Sequence, residues 1–99
     1  MERKEWPFDL PKKKMVLTSR FVVEAEAPIH YVSHDVGEGD VWQFHPDEKF
    51  GNEDADVRLA TLKSLYLLDE SIGQLGDLPV GWHAWRADVG VPWKMEEME

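Results

Sequence analysis

Cysteine is absent from the 99 residues, which rules out a disulfide scaffold and a thiolate zinc site. No apolar run approaches the ~18 residues that a bilayer-crossing helix needs, so a transmembrane helix is not expected. Residues 1–7 (Met-Glu-Arg-Lys-Glu-Trp-Pro) are charged and carry no apolar stretch. That argues against a secretory signal, and with the missing cysteine it favours a cytoplasmic protein. The four serines, Ser19, Ser33, Ser64 and Ser71, include none in a Gly-x-Ser-x-Gly setting, and no phosphate loop or dinucleotide fingerprint is present. Catalysis and a bound cofactor therefore have no motif behind them.

Positive charge is also scarce. Eleven Lys and Arg face twenty Asp and Glu, for a net charge of −9. Residues 1–20 hold six bases and three acids, net +3, and residues 21–99 hold five bases and seventeen acids, net −12. A body this acidic repels phosphate backbones and is not a nucleic-acid binder. It attracts a basic protein and steers that encounter at long range. Acidity that serves only solubility is the competing reading. The run Lys12-Lys13-Lys14 is too short for a nucleic-acid patch and suits a solvated strand edge.

Length and an apolar share of 42% fit one domain with a modest core. Residues 1–14 read as an extended arm, because Pro7 and Pro11 disfavour helix, with Trp6 and Phe8 placed to pin it. Residues 15–95 form the domain and 96–99 an acidic tail. Within it, residues 15–24 are β-rich and read as a first strand. A turn at 25–28 leads to a second strand, 29–33, with Ile29 and Tyr31 on one face and His30 and Val32 on the other. The two should form a hairpin. Residues 41–45 read as a third strand with Trp42 and Phe44 sharing a face.

Residues 57–61 suit a short strand or a helix start. Leu62, Leu65 and Tyr66 recur at helical spacing. Asp69 can cap a short helix over 70–75, closed by Gly76. Residues 80–87 and 89–95 read as final strands, the first with Trp82 and Trp85 on opposite faces, an arrangement that suggests a bend or bulge near one of them. The expected fold is α+β, a mostly antiparallel sheet with one or two short helices packed on one face.

Among the histidines, His30 and His34 have the spacing of a helical zinc site. On a strand, however, four residues span ~13 Å, too far for one ion, and His45 and His83 have no spaced partner. No metal site is expected. The loop over 46–56 offers many carboxylates to calcium but lacks the order of an EF-hand. Asp47 and Glu48 could serve acid–base chemistry, yet neighbours on an extended segment point apart. The segment 35–56 holds eight acids, Asp35, Glu38, Asp40, Asp47, Glu48, Glu53, Asp54 and Asp56, against Lys49 alone. These acids are the candidate partner-binding residues. Five Trp in so short a chain suggest that at least one stays partly exposed, where Trp anchors interfaces.

The order of several short motifs resembles a bacterial domain family of immunity proteins from polymorphic toxin systems. Val16 to Val23, with Thr18-Ser19-Arg20, is similar to its opening strand, and residues 28–32 to the segment that follows. Gly39-Asp40-Val41-Trp42-Gln43-Phe44 and His45-Pro46-Asp47-Glu48 resemble its Trp-x-Phe and Asp-Glu motifs. Pro79-Val80-Gly81, followed by Arg86, resembles its late Pro-x-Gly and Arg motif. The resemblance covers about residues 15–93, and Trp42, Asp47, Glu48, Pro79, Gly81 and Arg86 are the matching positions. The sequence departs from the family at Asp40-Val41 before Trp42 and at His34-Asp35 after the second strand.

The resemblance implies a non-enzymatic protein that binds a cognate toxin and neutralises it. A stand-alone binding or accessory domain and a small metal-dependent enzyme are the alternatives. Structural roles compete for three of the positions: Trp42 as a core anchor, Gly81 as a turn with positive φ, and Asp47-Glu48 as a turn cap.

Overall fold

Ser19 decides the topology. In a computed structural model that describes residues 6–8, 10–37, 41–51 and 53–98, the first strand, β1 (Met15–Ser19), stops there. The Ser19 hydroxyl accepts a hydrogen bond from the Phe21 amide at 3.1 Å and caps a one-turn helix, α1 (Arg20–Val23). The chain thus leaves the sheet instead of extending to residue 24, and the expected hairpin with the next strand does not form.

The following strands are β2 (Ile29–Asp35), β3 (Val41–Pro46) and β4 (Val57–Thr61), then β5 (Trp82–Trp85) and β6 (Lys94–Glu97). They make one sheet in the order β4-β1-β3-β2-β5-β6. β2 and β3 pair antiparallel, which returns β3 beside β1 in the parallel sense. The other pairings are antiparallel. The sheet is therefore mostly antiparallel, with one parallel pair that follows from α1 carrying the chain past β1 before it turns back.

One face of the sheet is covered. Thr61 caps α2 (Leu62–Leu68), its hydroxyl accepting from the Ser64 amide at 3.2 Å. Asp69 caps the 3₁₀ helix Glu70–Leu75, accepting from both the amide and the hydroxyl of Ser71. Leu62, Leu65, Ile72 and Leu75 from these helices are fully buried against Val16, Val32, Trp42, Phe44 and Ala84. Each side chain of this size contributes ~1.5–3 kcal/mol by leaving water. The N-terminal arm closes the layer. Phe8 is buried and meets Trp42 edge-on, and Trp6 meets Tyr66 edge-on at 5.4 Å while its indole N–H donates to the Leu10 carbonyl.

Trp42 is in the core, stacked on His34 at 4.2 Å and parallel to Phe44 at 6.1 Å. His34 donates from Nδ1 to the Leu78 carbonyl at 2.8 Å.

Three strand assignments shift. A bulge between Ile29 and Tyr31 breaks the alternation of β2. Ile29 and Val32 are both buried in the core, whereas Tyr31 lines a cavity on the opposite side. The strand expected over 80–87 starts at Trp82, because Gly81 takes φ +88° in the preceding turn. That conformation is open to glycine and strained for other residues. Glu96 and Glu97, expected in a tail, belong to β6, and the Met98 amide still bonds the Gly81 carbonyl at 2.8 Å. Residues 89–93 form a turn where a strand was expected.

Candidate functional site

The sheet's second face is left uncovered by the helices, and there the chain forms a cavity of about 830 Å³. The bulge, β3, β5 and β6 supply its lining. Tyr31 lies opposite Trp85 in the β2–β5 register, and His83 lies opposite Glu96 in the β5–β6 register. Alternation along β5 sends His83 and Trp85 into the cavity while Ala84 enters the core. This is why Trp82 and Trp85 part company without any irregularity in β5, whose pairing with β2 is continuous.

Two chains of polar contacts organise this face. The Gln43 amide donates from Nε2 to the Asp35 carboxylate at 2.6 Å, which leaves its Oε1 to accept from His45 Nε2 at 3.0 Å. The His45 proton is thereby placed on Nε2. Burial holds the His45 pKa below its ordinary value, and the Asp35 charge opposes that shift. In the second chain, Tyr31 Oη and His83 Nδ1 are 2.8 Å apart, and His83 Nε2 lies 4.0 Å from Glu96. Burial first, and then Asp35, push the Tyr31 ionisation upward, so the phenol keeps its proton. His83 sits between two aromatic rings, 5.5 Å from Tyr31 and 5.2 Å from Trp85.

The candidate acids divide. Asp47 and Glu48 line the cavity. Asp47 also caps the 3₁₀ turn Glu48–Phe50 by accepting from the Lys49 amide at 2.9 Å, and it lies 3.6 Å from His30 Nδ1. Asp35 is held by Gln43. Asp56 pairs with Arg20 at 2.6 Å, so the loop's charge is partly compensated by a residue distant in sequence. Glu53 and Asp54 are exposed beyond the cavity. Glu38 and Asp40 lie outside the described residues.

The motif positions are mostly structural. Trp42 is in the core, and Pro79 and Gly81 form the turn into β5. Arg86 is a buried clamp. Its Nε donates to the Ile29 carbonyl at 3.0 Å, its Nη1 to Ser71 Oγ at 2.8 Å and its Nη2 to Asp69, and it stacks on Trp93 at 4.4 Å. It ties the 3₁₀ helix to the bulge of β2 and thereby fixes the wall of the cavity.

Tyr31, His45, His83, Trp85 and Glu96 were not singled out as a group from the sequence. Only the pairing of β3, β2, β5 and β6 unites them, and the one sequence signal is the alternation of His83 and Trp85. Of the two histidines at zinc spacing, His30 lines the cavity and His34 is buried beneath Trp42. Among the described residues no group of three His, Asp or Glu is placed to hold a metal ion. No helix there is long and apolar enough to cross a membrane.

Fold and site together define an α+β domain with one sheet face sealed by helices and the other open, acidic and aromatic. No family model matches the chain, and neither a curated protein nor a solved structure does.

Proposed function

We propose that the protein is a non-catalytic, acidic interaction domain that binds a basic bacterial toxin in the cytoplasm and occludes it, as immunity proteins do. The observation that carries this reading is the charge of the open face. Its cavity is lined by the carboxylates of Asp47, Glu48 and Glu96, and its lining cation, Arg86, is turned inward with 2% of its side chain exposed. A basic surface meets an excess of negative charge there, supported by the net −9 of the whole chain. The order of the Trp42, Asp47-Glu48, Pro79-Val80-Gly81 and Arg86 motifs adds the immunity role.

The test is co-expression with the products of the neighbouring genes, of which one should be a toxin, followed by stopped-flow association of the purified pair. Growth should be rescued by the parent and lost with Glu48→Lys plus Glu96→Lys. Association should slow as salt shortens the screening length from ~30 Å at 0.01 M to ~8 Å at 0.15 M. A complex indifferent to both salt and these substitutions rejects docking through the open face. Binding of a partner that is not a toxin keeps the interaction domain and rejects the immunity role.

A further inference from the structure

The cavity is more specific than a generally acidic surface requires. We infer that it is an arginine-binding pocket, which receives the guanidinium of one arginine on a loop of the basic partner. The inference deepens the docking role proposed above and rests on it.

Its lining selects against other ligands. An anion would meet the carboxylates of Asp47, Glu48 and Glu96. It would find little help from Arg86, whose fork is held by Ile29, Ser71 and Asp69. A wholly apolar ligand would desolvate the same acids without compensation. An organic cation fits on both counts. The rings of Tyr31, His83 and Trp85 follow one another along the face, with His83 5.5 Å from Tyr31 and 5.2 Å from Trp85. Glu96 approaches the same imidazole from β6 at 4.0 Å.

A planar guanidinium can lie on an aromatic ring and present paired N–H donors to a carboxylate at its edge. An ammonium is more strongly hydrated and lacks the fork, so lysine suits the pocket less. A volume of about 830 Å³ exceeds one side chain and leaves room for the backbone that carries it. Two exposed lysines lie nearby without being part of the lining: Lys94, opposite Trp85 on β6, and Lys49, in the turn between the lining residues Glu48 and Gly51.

N-acetyl-arginine methylamide is the probe, titrated into the ¹⁵N-labelled full chain, with the lysine and citrulline analogues in parallel. The Trp85 indole and His83 signals should move saturably with the arginine compound, at a Kd on the order of millimolar for so small a ligand. Citrulline, which has the shape without the charge, should move neither. Glu96→Gln should weaken binding roughly three- to ten-fold through loss of the carboxylate partner. Lys94→Gln should strengthen it by removing a like charge.

Trp85→Leu should abolish the response, and an unchanged Trp42 indole signal will show that the fold is kept. Equal shifts with citrulline, no saturation, or full binding by Glu96→Gln would overturn the pocket. An equal response to lysine would overturn the guanidinium assignment. If the probe fails while Glu48→Lys plus Glu96→Lys still blocks the partner, the pocket is wrong and the docking face stands. If the partner ignores those charge reversals, docking itself is wrong.

Discussion

Gly76 and the Pro7 carbonyl are in such close contact that a β-carbon on the glycine would fall 2.2 Å from the carbonyl oxygen. A β-carbon on Gly73 would likewise meet the Pro7 ring at 3.0 Å and Tyr66 at 2.9 Å. The N-terminal arm therefore lies directly on Gly73 of the 3₁₀ helix and on the Gly76 that closes it, and through Phe8 it seals one side of Trp42.

Gly76→Ala should lift the arm. Because backbone is in the way, the clash cannot be relieved by a rotamer change, and overpacking of this kind costs ~1–3 kcal/mol. The melting temperature should fall by ~4–8 °C for each kcal/mol in a domain of this size. Tryptophan emission should shift to the red as Trp6 meets water. Parent-like melting and emission would show that the arm is not part of the fold.

Arg86→Ala should destabilise the domain more than any exposed charge change. It removes three hydrogen bonds and leaves the partly buried Asp69 without its cation, a loss of ~3–5 kcal/mol for a broken buried pair. Arg86→Lys should recover only part, since an ammonium cannot reach Ile29, Ser71 and Asp69 together. Urea denaturation of Arg86→Ala, Asp69→Asn and the double variant forms a cycle. Strictly additive effects would rule out a direct Arg86–Asp69 coupling.

Trp42→Ala should cost ~3–5 kcal/mol, through lost burial and the cavity left between His34 and Phe44. Trp42→Phe should cost much less. The Trp42 indole nitrogen is buried with no hydrogen-bond partner among the described residues, so phenylalanine forfeits no bond there. A phenylalanine variant as unstable as the alanine variant would reveal a hydrogen bond that matters.

His45 predicts a pH dependence of known sign. Its folded pKa lies below the ordinary 6.5, because burial disfavours the imidazolium. The unfolded chain therefore binds the proton first as pH falls, and its contribution to stability is lost between 6.5 and the folded pKa. Stability at this site is full above the unfolded value. NMR titration should find His45 protonating below 6.5. His45→Gln should flatten the loss of stability on the acid side of that value, and an unchanged slope would mean that another group causes it.

Much of the domain was legible as local pattern. The β-rich segment at 41–45, the helical spacing of Leu62, Leu65 and Tyr66, and the Asp69 cap with its closing Gly76 all reflect short-range forces: hydrophobic period, capping and turn chemistry, whereas at 57–61 the local pattern left strand and helix start open. The acid–base balance made the chain's charge plain, and alternation placed Trp42 beside Phe44 in the core. Pairing partners were not legible in the same way. Ser19 ends β1 by capping α1, so β3 and not β2 lies beside β1, a choice set by contacts far apart in sequence. The bulge at Ile29 reverses which side chains share a face, because one extra residue shifts a period of two. Local sequence thus determined most of the elements, the core aromatics and the sign of the charge. The tertiary structure alone decided that Tyr31, His83, Trp85 and Glu96 share a cavity and that Arg86 is its buried support, since only strand pairing brings three separate segments within hydrogen-bonding and stacking range.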